Sequence, residues 1–269
     1  MRLFACSFSA SAWLALLVLP LSAQTVALNR LGRYGLAVEI ASANFPGTGT
    51  SIFSDATRFP SGVLFLSSHA ALNSSTRLIV ELPFAFETPA ASPQPERRSV
   101  MGNPYFGLHF RGLRSSLDLG ARLPLLDKQD LVSGVGAATE FERVDAFLPH
   151  VTSFGAVLQS LIIRRQGAAV TMSSGCALWL ATGPNNVHPD NRLACTLGLE
   201  PALRRRAARV GARLLIRANS DGDWFNLEHE QSFFAERTTG VIRPGLALRM
   251  RFDDYYHVLA LSLQIVPRL

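Results

Sequence analysis

The chain has 269 residues, of which 48% are hydrophobic and 17% charged, and its formal net charge is +6. This composition excludes a disordered chain, a coiled coil and a collagen-like fibre, and three cysteines are too few for a disulfide scaffold. A soluble β-protein and a membrane protein both remain open.

Residues 1–23 have the layout of a secretory signal peptide. Arg2 precedes a short apolar stretch, Pro20 interrupts it, and Ala23 is a small residue at the cleavage position. No stretch of the chain reaches the roughly 20 predominantly apolar residues that a membrane-spanning helix needs. We therefore expect an exported chain whose mature part, residues 24–269, forms one domain without such a helix.

Alternation of apolar and polar residues predicts strands along most of the mature chain. In residues 76–87, every even position from Leu78 to Phe86 is apolar, whereas the charged residues fall on odd positions. Pro83 interrupts this pattern, and because proline cannot donate to a strand ladder we expect a bulge there. Twelve strands are predicted: 35–42, 62–72, 76–87, 105–113, 115–123, 154–164, 168–180, 193–203, 209–217, 228–237, 243–252 and 257–265.

The connections between these strands alternate in length. Short ones are expected at 73–75, 114, 165–167, 204–208 and 238–242, and longer ones at 43–61, 88–104, 124–153, 181–192, 218–227 and 253–256. This arrangement is typical of an antiparallel transmembrane β-barrel with short periplasmic turns and longer outer loops. A secreted β-sandwich also has one apolar and one polar face per strand, and it is the alternative.

Two stretches resemble a known class of proteins. Residues 102–111 begin Gly102-Asn103-Pro104-Tyr105 and continue with alternating glycine, apolar and basic residues, and residues 140–149 read Glu-Phe-Glu-Arg-Val-Asp-Ala-Phe-Leu-Pro. Both resemble elements of porin-like, transport-type bacterial outer-membrane barrels. The resemblance implies a β-barrel in the bacterial outer membrane without a settled substrate, with the barrel assembly machinery as a partner. Together with the twelve predicted strands, this leads us to expect a twelve-stranded antiparallel transmembrane β-barrel. Such barrels often end on an aromatic residue, whereas this chain ends on Leu269.

The polar face of the strands is the candidate site. It gathers nine arginines against six acidic residues, which fits either an anion-preferring pore or a self-neutralising network that seals the barrel. The expected pore-lining residues are Arg77, Glu81, Arg111, Asp118, Arg122, Arg209, Arg213, Arg217, Arg243, Arg249 and Arg251.

Two further features concern the outer end of the barrel. Residues 131–148 have apolar residues near helical spacing, which predicts a short amphipathic helix on the barrel mouth, either a lid or a cap. Cys176 and Cys195 fall at mirrored positions of one predicted hairpin, so they either form a disulfide or face lipid as small apolar groups.

The sequence gives little support to catalysis or cofactor binding. It contains no metal-binding histidine or cysteine pair, no nucleophile elbow and no phosphate-binding glycine loop. Ser67 or Ser116 with His69 or His109 is the one combination available to a lipid-modifying enzyme, and the basic run 204–206 falls in a turn rather than a nucleic-acid surface. We expect no enzyme, catalytic residue, metal, cofactor or nucleic acid. We expect a passive pore for small solutes, anions among them, with these solutes and outer-membrane lipid as its partners. The alternative is a closed structural or adhesive barrel acting through its outer loops, and an outer-membrane lipid-modifying enzyme is the third hypothesis.

Overall fold

The computed structural model describes residues 33–44, 61–87, 98–128, 131–182, 191–221, 224–251 and 257–267. The predicted signal peptide, the last two residues, and the predicted loop 253–256 lie outside these ranges, as does most of the predicted loop 43–61. Within them, no helix is long and apolar enough to cross a membrane.

The described part of the chain is almost entirely strand. It contains thirteen strands, one α-helix (α1, Leu131–Thr139) and one 3-10 helix (Val144–Phe147). The strands are β1 Tyr34–Asn44, β2 Gly62–Ala71, β3 Thr76–Glu87, β4 Arg98–Met101, β5 Tyr105–Arg111, β6 Ser115–Arg122, β7 Val151–Arg165, β8 Ala168–Ala181, β9 Arg192–Arg205, β10 Ala208–Asp221, β11 Trp224–Arg237, β12 Ile242–Arg251 and β13 His257–Ile265.

These strands close into a twelve-stranded antiparallel β-barrel, which confirms the predicted fold. Strands that follow each other in sequence pair with each other, and β13 pairs with β1 to close the sheet. Strand β4 was not predicted. It pairs with residues 84–87 of β3, whereas β5 pairs with residues 76–81 of the same strand. Strands β4 and β5 together therefore occupy one position in the wall.

The short connections gather at one end of the barrel, together with the beginning of β1 and the end of β13. Arg33, just before β1, accepts a hydrogen bond from Ala71, and Val266, just after β13, donates one to Val241. The prediction of a loop over residues 218–227 is wrong, because β10 and β11 pair in register up to Asp221 and Trp224. The polar residues in this region suggested a loop, but near the rim of a barrel both faces of a strand can be polar.

Most strands have an apolar face outward, whereas their inward face carries the charged residues together with small and some larger apolar side chains. On β1, Leu36 and Ile40 are 47% and 45% exposed, whereas Glu39 between them is 4% exposed. Since side chains alternate along a strand, the apolar positions form a continuous outer belt and the charged positions share the interior. The sequence pattern had predicted this division between the two faces.

Pro83 does not produce the predicted bulge in β3. The pairing of β2 with β3 runs through Phe65 and Pro83 without a shift. The irregularity lies on the other side, where residues 102–104 separate β4 from β5 and Gly102 donates to the Pro83 carbonyl at 2.9 Å. The missing proline N–H therefore faces a segment in which the strand ladder is already interrupted.

Cys176 and Cys195 are directly paired across β8 and β9, on the outward face. A disulfide joins the two cysteines, which are 19 residues apart in the sequence. The bond ties the outer ends of two long strands together.

Candidate functional site

The connection between β6 and β7 folds into the barrel instead of lying on its mouth. We call residues 131–148 the plug; they comprise α1, the 3-10 helix and the residues between and after them. The sequence had predicted one helix over the whole segment at the barrel mouth. That prediction is wrong in length and in position, since α1 ends at Thr139 and charged residues of the plug contact strand residues on the inner wall.

One side of the plug is apolar and packs on the inner wall. Val132, Ala146 and Phe147 join a buried cluster with inward-facing residues of β1, β2, β3 and β13. A Cβ on Gly136 would overlap the Phe147 ring, so a glycine in α1 allows the 3-10 helix to lie directly against it. The wall members of this cluster are Ala41, Val63, Phe65, Ala85, Val258 and Ala260.

Arg143 lies at the centre of the charged side of the plug. Its guanidinium is within 3.1 Å of carboxylate oxygens of Glu39 on β1 and Glu81 on β3, and within 3.0 Å of Glu140 on the plug itself. The same group lies 3.4 Å from the centroid of the Phe65 ring, and Arg143 is 1% exposed. One plug side chain thus connects two strands of the wall.

Arg122 on β6 forms the second junction between wall and plug. It contacts Glu81 at 2.7 Å and Asp145 of the plug at 3.1 Å, and it is fully buried. Asp145 also accepts a hydrogen bond from the Ser153 hydroxyl. Glu81 therefore bridges Arg122 and Arg143, so the two arginines share one buried carboxylate.

The Tyr105 ring packs against the Arg122 guanidinium. The Arg122 guanidinium lies 5.4 Å from the centre of the Tyr105 ring, and Tyr105 is completely buried inside the barrel. A Cβ on either Gly107 or Gly120 would overlap this ring. The two glycines on β5 and β6 therefore make the space in which the ring lies flat against the wall.

Arg249 on β12 closes a ring of alternating charges. It contacts Glu39 at 2.6 Å and Glu140 at 2.5 Å, the two carboxylates that also contact Arg143. Two arginines and two glutamates thus alternate around one centre. Because each ion has two oppositely charged neighbours, mutual attraction offsets the cost of removing four charges from water.

The far side of the plug is fixed by arginines of β10 and β12. Arg217 donates to the carbonyl of Phe141, and Arg251 donates to the carbonyl of Ala138 at 3.1 Å. Both guanidiniums lie over the Phe141 ring, at 4.4 and 4.9 Å, and both contact Glu228. Phe141 is therefore held between two cations with the same counter-ion.

The two stretches that carried the sequence resemblance meet in space. Asn103 donates from its side chain to the carbonyls of Asp145 and Leu148 at 3.0 and 2.7 Å, and from its backbone to Ala146 at 2.6 Å. A Cβ on Gly102 would overlap the Ala146 carbonyl. The break between β4 and β5 is thus the place where the plug backbone docks on the wall.

Charge pairing keeps the plug ionised despite its burial. Burial by itself would raise the pKa of Glu140, but the Arg143 and Arg249 guanidiniums lower it to about 2. Burial would likewise lower the pKa of Arg143, but Glu140, Glu39 and Glu81 raise it above its ordinary value. Both groups therefore carry full charge near neutral pH.

The eleven sequence-predicted lining residues all lie on inward positions of their strands, but few of them line open space. Arg77, Glu81, Asp118, Arg122 and Arg217 are buried. Asp118 pairs with His109 at 2.8 Å, and Arg209 with Glu236 at 2.9 Å. Arg111 and Arg243 lie near the short-turn end, where Arg243 donates to the Gly240 carbonyl at 3.0 Å.

Among the described residues, sequence reasoning missed six charged residues that lie in the plug or on inward positions of β11. Glu228 and Glu230 share the inward parity of Glu236 on β11, so the alternation could have identified them. The plug residues had no such signal, because their inward position depends on a loop conformation. The residues missed are Glu228, Glu230, Glu140, Glu142, Arg143 and Asp145. They add five anions and one cation, which cancels the predicted excess of cations.

Two of the cavities in the described part of the barrel lie beside the plug. The larger, of about 110 Å³, lies between the plug and the walls of β10–β13, and the smaller, of about 10 Å³, lies between the plug and β8–β10. Glu142 lines both cavities and is paired with Arg213, which lines the larger one. The ion pair of Arg213 with Glu142 thus stands at the boundary between them.

Comparison with solved structures identifies similar barrels. An outer membrane channel from Pseudomonas putida F1 superposes with a TM-score of 0.61 at 13% identity, over 91% of this chain and 99% of that one. LpxR from Salmonella typhimurium gives 0.49 at 13% identity, over 87% and 100%, and the CymD monoaromatic hydrocarbon channel 0.48 at 9%, over 90% and 91%. No protein-family model and no curated protein matches the chain. The first likeness shows that the fold is that of an outer-membrane β-barrel.

We predict that Arg143→Gln releases the plug. Removing one partner of a buried ion network leaves the others uncompensated, at a cost of about 3–5 kcal/mol. In the reconstituted barrel, chymotrypsin should then cleave after Phe141 and Phe147, which are 0% and 1% exposed in the docked plug. Mass spectrometry of the fragments measures this. The parent and Arg165→Gln, which changes an exposed arginine at the end of β7, should resist cleavage at both sites, and equal resistance of Arg143→Gln would contradict the prediction.

We also predict an acid-dependent contribution of Glu140. Its pKa in the folded barrel, about 2, is below its ordinary 4.5, so its charge stabilises the fold above pH 4.5 and this stabilisation is lost as pH falls through about 2. The difference in free energy of unfolding between the parent and Glu140→Gln should be constant above about pH 5 and shrink below it. Denaturant titrations in vesicles at a series of pH values measure the difference, and a gap that persists down to pH 2 would contradict the assignment.

Proposed function

We propose that the protein is a passive channel of the bacterial outer membrane for small solutes. Three observations support the proposal: the signal peptide expected from the sequence, the outward apolar belt, and a polar interior with cavities on both sides of one ion pair. In this setting the outer belt contacts lipid and the short turns face the periplasm. Insertion depends on the barrel assembly machinery, which recognises the last strand, although that strand lacks an aromatic final residue.

The observation that carries the proposal is the position of the Arg213–Glu142 pair. Glu142 of this pair lines both cavities, and the smaller cavity is also lined by the small wall residues Ala177, Ala194 and Thr196. The smaller cavity has about 10 Å³, which is about the space that one water needs. We propose that a route through the two cavities has the ion pair as its narrowest point and therefore suits ions and very small polar solutes.

The interior gives no reason to expect the anion preference predicted from the sequence. The plug and Glu228 and Glu230 supply the missing negative charge, and Arg249, Arg143 and Arg122 are engaged with carboxylates. We propose instead that ion preference depends on the two groups at the narrowest point. When one of these two residues is replaced by a neutral one, the charge of the other determines the local electrostatic field.

We propose no enzymatic activity and no cofactor. Of the residues available to a lipid-modifying enzyme, Ser67 donates to Glu81 at 3.3 Å and His109 pairs with Asp118 at 2.8 Å. Both pairs are accounted for as buried polar contacts of the inner wall.

Planar-bilayer recordings under a salt gradient test the proposal. Glu142→Gln leaves the Arg213 guanidinium without this carboxylate and should shift the reversal potential towards anion preference. Arg213→Gln leaves Glu142 charged and should shift it the opposite way. Arg165→Gln, at the rim, should leave it unchanged.

The outcomes separate the channel from the other hypotheses. Conductance with no shift in either variant would place the solute route elsewhere. A folded barrel that stays silent in the parent and in both variants would favour the closed structural or adhesive barrel acting through its outer loops. Release of fatty acid from outer-membrane lipid by the silent protein would favour a lipid-modifying enzyme.

A further inference from the structure

A groove of about 970 Å³ crosses the outer surface of the barrel at its short-turn end. It runs over β10, β11, β12 and β13, and its floor is apolar. Small side chains and a proline make the depression, since larger apolar residues stand on the same strands further along the wall. The outward residues of the floor are Ala208, Ala235, Pro244, Leu246 and Leu261.

Three arginines border the groove where it meets the rim. Arg205 and Arg237 are the register partners of Ala208 on its two sides, so they flank this alanine in one row of the outer face. Neighbouring strands are about 4.8 Å apart, which sets the two Cα atoms roughly 10 Å from each other. Arg206, in the turn between β9 and β10, is the third.

These arginines are exposed and are not neutralised. None of the three forms an ion pair within the described ranges of the chain, and all three are exposed side chains. Glu236 also borders the groove, but its carboxylate is inside the barrel, where it contacts Arg209 at 2.9 Å. The groove thus combines an apolar floor with a positively charged end.

The backbone at Arg206 adds a second observation. Its φ is 52°, in the left-handed region that glycine or asparagine adopts more readily than arginine. The requirements of the turn alone would favour a different residue at this position. The cation is therefore placed at the rim at some conformational cost.

We propose that this groove binds one anionic phospholipid of the periplasmic leaflet. The phosphodiester lies on Arg205, Arg206 and Arg237, and one acyl chain follows the apolar floor past Ala235 and Leu246. Guanidinium groups bind phosphate oxygens with paired hydrogen bonds, and the rim is at headgroup depth when the short turns face the periplasm. The inference rests on the proposed location in the outer membrane, but it does not depend on an open lumen.

Lipid retention by the full-length mature barrel tests this. The protein is purified in detergent and titrated with phosphatidylglycerol or phosphatidylcholine, and bound lipid is counted by native mass spectrometry. The variant Arg205→Gln, Arg206→Gln, Arg237→Gln should bind phosphatidylglycerol roughly 100-fold more weakly, at about five-fold for each arginine. Phosphatidylcholine should bind weakly to the parent.

A matched control uses the β7–β8 turn. Arg164 and Arg165 are exposed at the same end of the barrel, next to a two-residue turn that also begins with a positive φ, at Gln166, but they do not line the groove. Arg164→Gln with Arg165→Gln should leave phosphatidylglycerol binding within two-fold of the parent. Ala235→Trp, which fills the floor and leaves every charge in place, should weaken binding at least ten-fold.

Several results would overturn the proposal. Equal retention of the two lipids would remove the role of the net negative charge of the headgroup, since both lipids carry a phosphodiester and only phosphatidylcholine also carries a cation. Equal loss in the Arg164 and Arg165 control would mean that any basic rim suffices. Undiminished binding by Ala235→Trp would exclude the groove. Heat-modifiable gel migration verifies that each variant is folded. Bilayer conductance is measured separately, so that a loss of lipid binding can be distinguished from a loss of channel activity.

Discussion

The barrel interior depends on the burial of Arg143 between carboxylates of two strands and of its own loop. Glu39 and Glu81 come from β1 and β3, and Glu140 from the plug, so one cation ties the segment between β6 and β7 to two other strands of the wall. Arg122 and Arg249 extend the same pairing to β6 and β12. A buried ion without such partners would be strongly destabilising. The plug inside the barrel is therefore restricted to arrangements in which Arg143 keeps its carboxylate partners.

This arrangement explains why neighbouring features have the residues they have. At the interruption of residues 102–104, Asn103 donates from its backbone to the Ala146 carbonyl and from its side chain to the Asp145 carbonyl, and Gly102 leaves room for this docking. Phe65 and Phe141 present ring faces to the guanidiniums, so the plug gains aromatic contact as well as charge. The plug is therefore packed against the barrel wall through apolar, aromatic and charged contacts.

The fold could be predicted from sequence because its cause is local and repeated. Alternation along each strand identified the twelve positions in the wall and the parity of every predicted lining residue, including Arg213 and Arg249. The plug could not be predicted in this way. Residues 140–147 alternate irregularly, and their inward position follows from contacts with residues up to about a hundred positions away, such as Glu140 with Arg249. The short strand β4 and the regular pairing at Pro83 were not predicted for the same reason, since each depends on the residues of the neighbouring strand.

The most direct test of the account is whether the plug is packed inside the resting barrel. Ala146 is fully buried, whereas Leu125, on the same connection, is 54% exposed. In the barrel reconstituted in vesicles, a cysteine replacing Ala146 should remain unlabelled by a water-soluble maleimide above the background of the parent, and one replacing Leu125 should react rapidly. Both should react after denaturation. Equal reaction rates in the native barrel would contradict the account, because they would mean that the plug does not occupy the lumen.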